Sequence, residues 1–480
     1  MTSVVRFGEF VADGQLVTCT GDWLPAHVNP ATEQPWAEVR ACSPADLELA
    51  LEAAQTAAKA WASSALARRK EALGRLRQAI ESRTESFVLA MAHDIGCPVW
   101  LSRMLHVPMA LRDLEVAEAA LEEIAWRETI GNAVVERVPV GVVGALTPWN
   151  APLHQMVAKV AGAVGAGCAV VLKPSEAAPS VAWEFMQAAM AADLPPGVIN
   201  VLWGGAEIGA RLVADVRVNH ISFTGSTEVG RHVMATASER FVAASLELGG
   251  KSAAVLLDDA NLEAALPAIV RSCLANSGQT CVAQTRLVVP RRHLATIERQ
   301  VAALLETWPL GDPLDEATRL GPVASSAQQR HVVEIIERAH QAGARLVCGG
   351  PHHPLPRGFY VLPTVFSDVL PTMELAQCEA FGPVLAIMAA DDEDHAVALA
   401  NDTPFGLSGA VWSNSLEHAA AVARRMCTGQ VVLNGASQNL ATPFGGWGQS
   451  GLGRENGRFG IEAFLQYRSL HGLAPEPILR

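Results

Sequence analysis

The N-terminal quarter of the chain carries apolar residues at the spacing of an α-helix. Segment 43–61, SPADLELALEAAQTAAKAW, opens with Ser43 three residues before Asp46, which is the spacing of a capping box. The turns that follow have one apolar face, at Leu47, Ala50, Leu51 and Ala54. This pattern predicts an amphipathic helix, and we expect helices to continue to about residue 127.

From residue 138 the pattern changes to short apolar runs rich in valine, separated by stretches with helical spacing such as 153–166 and 179–192. Continuous apolar runs that alternate with helices are typical of parallel strands in a sheet covered on both faces. Strands are predicted in these runs: 138–146, 168–173, 197–202, 220–223, 252–257, 286–289, 344–348, 384–388, 408–412 and 430–434. The pattern predicts two α/β domains with a boundary near Gly249–Gly250.

Composition argues against several classes of protein. Half of the 480 residues are apolar, enough to bury the cores of two or three domains. The formal net charge is −13 and basic residues cluster only in short runs such as RRK at 68–70 and the pair Arg291 and Arg292, so we expect no nucleic acid and no membrane partner. No apolar run reaches the roughly 18 residues of a membrane span, and the N-terminus MTSVVRFGEF lacks the apolar stretch of a signal peptide. We therefore expect a cytoplasmic protein.

The cysteines favour reduced thiols and no metal site. Nine are spread along the chain without a C-x-x-C pair, which argues against a disulfide framework and a zinc site. Most should be ordinary core residues. Cys281 is different because its neighbours in NSGQTCV (276–282) are small and polar. It is a candidate nucleophile, although a cysteine in an ordinary loop would have similar neighbours.

Two glycine-rich stretches imitate nucleotide-binding motifs. GWGQSG at 446–451 has the form G-x-G-x-x-G, but no apolar strand leads into it and no βαβ unit follows. LGGKS at 248–252 resembles a phosphate loop, but the first glycine of that motif would fall at Ser245. Neither stretch is predicted to bind a nucleotide.

Polar side chains follow two of the predicted strands. Asn150 follows the strand predicted at 138–146, where its carboxamide could point into a crevice at the carboxyl edge of the sheet. An Asx-type turn after Pro148 is the alternative. Lys173 ends the next strand, with Glu176 three residues on. Together they could bind ribose hydroxyls, and the carboxylate would repel a 2′-phosphate, although a lysine that ends a strand is usually just solvated.

Two more candidates follow the strand predicted at 220–223. Gly225–Ser226 precedes a predicted helix, whose N-terminus could bind a phosphate, and a simple N-cap explains the pair equally well. Glu247 lies between leucines and before two glycines, where desolvation would raise its pKa toward the range of a general base. A buried ion pair with Lys251 is the alternative. Cys281, Asn150, Glu247 and the proposed cofactor-binding residues together supply the groups needed to oxidise a carbonyl compound through a thiolate.

These residues lie in seven motifs, TPWN, KPSE, FTGS, LELGGK, GQTC, EAFGPV and PFGGWGQSGLGRE, in this order. In this order the motifs resemble those of the aldehyde dehydrogenase superfamily, over residues from about 25 to 470. The resemblance implies that Cys281 is the nucleophile and Glu247 the base. It also implies that Asn150 and the Cys281 N–H form the oxyanion hole. The expected reaction is oxidation of a small-molecule aldehyde to the acid with NAD, preferred over NADP, through a thiohemiacetal and a thioester hydrolysed by activated water.

The resemblance also implies two sets of binding residues. Those expected to bind the cofactor are Thr147, Pro148, Trp149, Lys173, Glu176, Gly225, Ser226, Leu248, Glu379 and Phe381. Those expected to line the substrate pocket are Ala151, His154, Gln155, Ala158, Thr280, Val282, Gln438 and Phe444. Small Ala151 and Ala158 favour a bulky or partly polar aldehyde over a short aliphatic one. His154 is equally well explained as a structural histidine that faces the sheet.

In architecture, the resemblance implies an α/β fold with three parts. A Rossmann-like NAD-binding domain would comprise 1–118 and 140–249, and an α/β catalytic domain 250–454. A small β oligomerisation element would comprise 119–139 and 455–480, so a homodimer or homotetramer is expected. Trp447 and Gly448 stand where many members of the family carry an aromatic residue, often Tyr, followed by Lys. We expect this difference to concern the loop conformation and subunit contacts and not any catalytic role.

One further expectation concerns mechanism, and there are two alternative functions. Cys281 should be activated by a lowered pKa in the crevice. A CoA-acylating dehydrogenase is the first alternative function, and Glu247 argues against it because such enzymes tend to lack a hydrolytic base. A non-catalytic binding or structural protein on the same fold is the second alternative.

Overall fold

Two large sheets and one small sheet account for most strands of the computed structural model, which describes residues 4–473. In chain order the strands are β1 (Val5–Phe7), β2 (Glu9–Ala12), β3 (Gln15–Thr18), β4 (His27–Val28), β5 (Pro35–Val39), β6 (Arg127–Ile130), β7 (Ala133–Pro139), β8 (Val142–Leu146), β9 (Ala169–Lys173), β10 (Ile199–Val201), β11 (Val218–Thr224), β12 (Ala243–Glu247), β13 (Ala253–Leu256), β14 (Arg286–Pro290), β15 (Arg345–Cys348), β16 (Thr364–Ser367), β17 (Val384–Ala390), β18 (Phe405–Gly406), β19 (Ser408–Trp412), β20 (Gln430–Leu433), β21 (Trp447–Gly448), β22 (Gly451–Leu452) and β23 (Leu465–His471).

The helices connect and cover these sheets. They are α1 (Pro44–Ala62), α2 (Leu66–Glu81), α3 (Thr84–Ile95), α4 (Val99–Leu101), α5 (Val107–Ala120), α6 (Pro152–Ala166), α7 (Pro179–Ala191), α8 (Ala206–Ala214), α9 (Thr227–Ser238), α10 (Leu262–Leu274), α11 (Leu294–Leu305), α12 (Ser326–Gln341), α13 (Glu374–Gln377), α14 (Glu393–Asn401), α15 (Leu416–Ala423) and α16 (Gly457–Glu462), with a π-helix at Ser102–His106 and 3₁₀ turns at Ala275–Gly278 and Arg291–His293.

The capping box predicted at the start of α1 is present. Ser43 Oγ accepts a hydrogen bond from Asp46 N at 3.2 Å, and the Asp46 carboxylate accepts one from Ser43 N at 2.7 Å. These bonds satisfy backbone N–H groups at the helix start that have no partner within the helix. The buried face of α1 includes Leu47 and Leu51, as the helical spacing predicts.

The first large sheet has eight strands in the order β22-β12-β11-β8-β9-β10-β2-β3. Its five central strands are parallel, and β2 and β22 pair antiparallel with them at the two sides. Every residue of β9 is buried because helices cover both faces of the sheet. The second large sheet has the order β15-β16-β17-β14-β13-β19-β20 and is parallel except for the β15–β16 pair. The predicted α/β class is confirmed.

One strand prediction was wrong: the run at 138–146 belongs to two sheets. The chain turns at Gly141, which has φ of 120°, and a Cβ there would lie 2.4 Å from Asn219 Oδ1. That oxygen accepts a hydrogen bond from Val142 N at 2.9 Å and fixes the start of β8. Only β8 enters the eight-stranded sheet, and β7 pairs elsewhere.

The small sheet has three antiparallel strands in the order β23-β7-β6. It lies within the ranges predicted for an oligomerisation element, but those ranges also contain other structure. Residues 455–480 also include α16. Ile461 of this helix and Phe464 just after it are buried in the core of the eight-stranded sheet. Residues 474–480 lie outside the described part of the chain. The division into three domains stays a prediction.

Candidate active site

The candidate site lies where the carboxyl edge of the eight-stranded sheet meets the amino edge of the seven-stranded sheet. Parallel pairing aligns Leu146 with Lys173, and Thr224 with Glu247, so the ends of four strands meet at one edge. Opposite them, the segments before β14 and β17 carry Cys281 and Glu379. The cavity between has a volume of about 300 Å³ and is lined by these predicted residues: Pro148, Trp149, Asn150, Gln155, Gly225, Ser226, Leu248, Cys281, Glu379 and Phe381.

The loop before Cys281 has an unusual backbone. Asn276 (φ 50°, ψ 40°) and Ser277 (φ 55°, ψ 34°) are both left-handed, and Gly278 follows with φ of 76°. Left-handed backbone is uncommon outside glycine and persists where surrounding structure holds it. Here Ser277 Oγ donates a hydrogen bond to Gly321 O at 2.8 Å, and a Cβ on Gly278 would lie 2.1 Å from Gly382 O. The loop is therefore fixed by segments distant in sequence.

The thiol of Cys281 does not have the lowered pKa that we predicted. Burial raises the pKa of Cys281 to about 12, and the nearby carboxylates of Glu379 and Glu247 disfavour a thiolate further. The polar neighbours in the sequence misled the prediction, because they contribute backbone N–H groups but no positive charge. The thiol is protonated at neutral pH, so attack on a carbonyl needs a base to take its proton.

Asn150 is buried in the segment between β8 and α6 and lines the cavity on the side of the eight-stranded sheet. Its Nδ2 donates a hydrogen bond to Gln279 O at 3.0 Å, two residues before Cys281. The carboxamide and the thiol are thus linked across the junction of the two sheets. A carboxamide NH₂ has two hydrogens, so the second remains able to bind another acceptor.

Glu247 ends β12 and is 2% exposed. Within residues 4–473, neither of its carboxyl oxygens has a hydrogen-bond partner. Burial raises the pKa of Glu247 well above its usual range, and the charge of Glu455 raises it further, while Lys159 and Arg454 oppose the shift. The alternative of an ion pair with Lys251 is not observed, because the Lys251 ammonium has no partner among the described residues either.

The surroundings of Glu247 show which way its carboxyl points. A Cβ at Gly445 would lie 2.6 Å from Glu247 Oε1, so the carboxyl packs against the glycine-rich loop rather than lining the cavity. Two of the charged groups that act on Glu247 form a buried ion pair, in which Lys159 Nζ lies 2.6 Å from Glu455 Oε1. The loop itself contains the rejected G-x-G-x-x-G stretch, whose Gly451 pairs with Glu247 in the sheet.

Lys173 and Glu176 lie outside this cavity. Lys173 Nζ is 3.3 Å from Glu176 Oε2 and donates a hydrogen bond to Pro174 O at 3.1 Å. Burial lowers the pKa of Lys173, and Glu176 partly offsets this. The half-exposed Glu176 lines a separate cavity of about 460 Å³ together with Gly205.

At the start of α9, Ser226 is both an N-cap and a cavity residue. Its Oγ accepts a hydrogen bond from Val229 N at 3.3 Å. The N-cap interpretation is therefore realised, and the position of Gly225 and Ser226 in the wall of the cavity keeps the anion-site interpretation compatible with it. Thr147, directly after β8, is buried, and its N–H donates a hydrogen bond to Lys173 O at 3.2 Å.

The segment before β17 places Glu379 and Phe381 in the cavity. Glu379 Oε1 accepts a hydrogen bond from Gly250 N at 3.3 Å, and burial raises the pKa of Glu379 to about 7. Phe381 is left-handed (φ 50°), and its ring meets Trp149 edge to face with centroids 5.5 Å apart. Two aromatic rings thus form one wall of the cavity.

Four cavity residues were not among the predicted site residues: Thr224 and Gly249, which lie within the FTGS and LELGGK motifs, and Gln328 and His331 on α12. Gln328 Nε2 donates hydrogen bonds to the carbonyls of Ala380 (3.2 Å) and Phe381 (3.0 Å), which supports the left-handed turn. The three-residue spacing of Gln328 and His331 on a helix was a usable signal, but nothing in the local sequence indicates which surface that helix face meets.

The predicted substrate-pocket residues are scattered. Gln155 lines the cavity, whereas His154 Nε2 lies 2.8 Å from Asp113 Oδ2 of α5, so its partner is a helix and not the sheet. Ala158 borders a small cleft beside Asp113 instead. The remaining residues are half-buried or exposed positions near the site, of which Thr280 and Gln438 make only long polar contacts: Ala151, Thr280, Val282, Gln438 and Phe444.

No helix in the range 4–473 is both long and apolar enough to cross a membrane. No group of three or more His, Cys, Asp or Glu residues in that range could hold a metal ion.

Comparisons with known proteins place the chain among relatives of similar length. Residues 23–470 match a family described as the aldehyde dehydrogenase family. A 3-succinoylsemialdehyde-pyridine dehydrogenase from Pseudomonas sp. is 40% identical over 97% of this chain and 98% of its own length. A geranial dehydrogenase from Castellaniella defragrans is 38% identical over 96% of this chain and 99% of its own length.

Solved structures agree with this. Aldehyde dehydrogenase C from Pseudomonas syringae, a mutant in complex with NAD⁺ and octanal, has a TM-score of 0.96 and 40% identity, covering 98% of each chain. An aldehyde dehydrogenase from Mycobacterium tuberculosis in complex with NAD⁺ has a TM-score of 0.95 and 36% identity, covering 99% of each chain. The fold that the motifs predicted is confirmed.

Proposed function

The chain belongs to the aldehyde dehydrogenase family, an enzyme family that oxidises aldehydes to acids, and we propose how its own residues carry out this reaction. Cys281 Sγ attacks the carbonyl carbon after its proton passes to Glu247. The second Nδ2 hydrogen of Asn150 and the Cys281 N–H bind the oxygen that becomes negative. Hydride loss gives a thioester, and Glu247 takes a proton from the water that hydrolyses it.

One observation carries this proposal: the Cys281 thiol and the Asn150 carboxamide, which come from opposite sheets, line one cavity, and Glu247 ends a strand at the same edge of the first sheet. Glu247 packs against the glycine-rich loop, but within residues 4–473 no hydrogen bond holds its oxygens, so rotation toward the cavity breaks none there. Burial raises the pKa of Glu247 well above its usual range, which suits a group that accepts and releases a proton during the reaction.

The cavity also fits a dinucleotide cofactor. Trp149 and Phe381, whose rings meet edge to face, form an aromatic wall, and a Cβ on Gly249 would lie 2.4 Å from Glu379 Oε2, so only glycine leaves this cleft open. NAD, when bound, supplies the hydride acceptor. Glu379, Gln328 and His331 would hold its nicotinamide half, with Pro148, Gly225, Ser226 and Leu248 beside it. We infer a preference for NAD over NADP because the Glu176 carboxylate would repel a 2′-phosphate.

For the substrate, we propose a bulky or extended aldehyde rather than a short aliphatic one. Ala151, next to Asn150, is small, and Gln155 offers one hydrogen bond in the cavity, whereas Ala158 borders the cleft beside Asp113 and adds no room to the cavity. His154 offers none to a substrate in this arrangement, because it faces Asp113. Relatives named for geranial and for a pyridine semialdehyde, and the octanal complex, concern aldehydes of this size range.

We also propose a homodimer or homotetramer in the cytoplasm, formed through the three-stranded sheet. Apolar and aromatic side chains of its strands are exposed, including Ile130 (58%) and Tyr467 (68%). Large exposed side chains on a sheet are typical of an interface. The three-domain division given above belongs to the same proposal.

A panel of aliphatic, aromatic and ω-charged aldehydes, assayed with NAD and NADP in parallel, tests the proposal. We expect NADH formation, a kcat/KM with NAD about tenfold or more above that with NADP, and higher kcat/KM for octanal than for acetaldehyde. Reduction of neither cofactor by any aldehyde would overturn the proposal. Appearance of an acyl-CoA when CoA is added would replace hydrolysis by acyl transfer.

A further inference from the structure

Three carboxamides form a closed set of hydrogen bonds between the two large sheets. Asn150 Nδ2 donates to Gln279 O at 3.0 Å, and Asn276 Nδ2 donates to the backbone oxygen of Asn150 at 2.8 Å. Gln279 Nε2 in turn donates to Asn276 O at 3.0 Å. All three residues are buried, and Gln279 is fully so. Each side chain therefore holds the backbone of the next residue in the set.

The set is anchored outside itself. Gln279 Oε1 accepts a hydrogen bond from Ala324 N at 2.8 Å, in the segment that leads into α12. Asn276 keeps a left-handed backbone, which asparagine tolerates better than most residues. Because buried amide groups without partners cost free energy, the geometry of the three side chains is tightly determined.

We propose that Asn276 and Gln279 are positioning residues that orient the Asn150 carboxamide for catalysis. Neither lines the cavity. Their effect is to commit one Nδ2 hydrogen of Asn150 to Gln279 O and to hold the Asn150 backbone, so that the other hydrogen has one direction. This inference rests on the proposed function, in which that hydrogen binds the carbonyl oxygen of the aldehyde. Donors fixed in advance stabilise a developing oxyanion without reorganisation.

A matched control exists elsewhere in the molecule. Asn200 is also fully buried, and its Nδ2 donates to two carbonyls, Gly197 O at 2.7 Å and Val170 O at 3.2 Å. It lies within the first sheet, on β10, and does not line the cavity. Asn200→Ala removes comparable hydrogen bonds without touching the three-carboxamide set.

A double-mutant cycle tests the proposal on the purified full-length protein. The variants are Asn276→Gly, which keeps the left-handed backbone, Asn150→Ala, and the two combined. We expect Asn276→Gly to lower kcat about 10- to 100-fold with little change in KM for NAD, and Asn150→Ala to lower it further. In the Asn150→Ala background, Asn276→Gly should add less than about twofold, since its target is gone.

Independent effects would overturn the proposal: if the two losses multiply, or if Asn276→Gly is no worse than Asn200→Ala in kcat, Asn276 is a structural residue only. If Asn276→Gly does not fold, Asn276→Asp replaces it in the same cycle, because it keeps the side-chain shape and loses the amide donor. A wild-type protein that oxidises no aldehyde overturns the proposed function and this role together, whereas an active wild type with multiplicative losses overturns this role alone.

Discussion

The thiol loop and the buried carboxylate are held in opposite ways. Around Cys281 the backbone is left-handed at consecutive residues and is fixed by contacts to distant segments such as Gly321 and Gly382. Glu247 has neither oxygen hydrogen-bonded within the described residues, and it lies beside the buried pair of Lys159 and Glu455. A nucleophile must meet its target at a fixed angle, whereas a base must change both position and charge.

The two regions share an electrostatic feature. Burial raises the pKa of Cys281 to about 12 and raises the pKa of Glu247 well above its usual range. Neither group is readily ionised by itself, which is why the proposed mechanism passes a proton from the thiol to the carboxyl. Their difference in restraint then decides which one moves.

Removing the thiol should have the largest effect. Cys281→Ala leaves no nucleophile, so we expect NADH formation to fall by about 10⁴-fold or more. Cys427→Ala, at an exposed cysteine away from the cavity, is the matched control and should keep the wild-type rate. Substantial aldehyde oxidation by Cys281→Ala, measured by absorbance of NADH, would end the assignment of this thiol.

The rigidity of the loop is tested by two glycines that both have positive φ, Gly278 (76°) and Gly131 (59°). A Cβ at Gly278 would lie 2.1 Å from Gly382 O, whereas one at Gly131 meets nothing within 4 Å. Gly131→Ala should cost only about 1 kcal/mol of stability and leave kcat unchanged. Gly278→Ala should lower kcat about 100-fold or more. Equal effects of the two changes on kcat and Tm would show that the loop geometry is not restrictive.

A smaller effect is expected on the cofactor side. Glu176→Gln removes the carboxylate next to Lys173 without changing its size, and should raise the ratio of kcat/KM with NADP to that with NAD about tenfold. Glu207→Gln, at an exposed glutamate on α8, is a control of the same chemistry. An unchanged ratio in Glu176→Gln would move cofactor discrimination to other residues.

The smallest expected effect concerns stability. The pKa of Glu247 is higher in the folded chain than in the unfolded chain, so ionisation on unfolding lowers stability as pH rises from below the unfolded pKa through the folded one. Glu247→Gln removes this penalty and should raise Tm by about 1–3 °C at pH 8, with no gain at pH 4. A Tm that falls equally at both pH values would mean that the carboxyl stabilises the fold.

Much of the site could be predicted because parallel strands end at one edge. Asn150 follows one such strand and Lys173 ends another, although the strand that Glu247 ends was not predicted, and the class of fold follows from the same alternation of apolar runs and helices. The motif order then placed Cys281 and Glu379 at the same site, on segments of the second sheet. These predictions depend only on local pattern and on how parallel sheets are built.

The rest depends on contacts between residues far apart in sequence. The partner of His154 is Asp113, 41 positions earlier, and the helix that brings Gln328 to Phe381 is 53 positions away from it. The break of one predicted strand at Gly141 is set by Asn219. The raised pKa of Cys281 comes from burial, which no single motif specifies.

The central claim is that a fixed thiol is served by a free, protonatable carboxyl, and Glu247→Gln tests it most directly. Intact-protein mass spectrometry of this variant, during reaction with NAD and octanal, should show one acyl group added to most molecules, because the thioester forms and is not hydrolysed. The double variant with Cys281→Ala should show no added mass. Unmodified Glu247→Gln protein turning over at the wild-type rate would contradict the account.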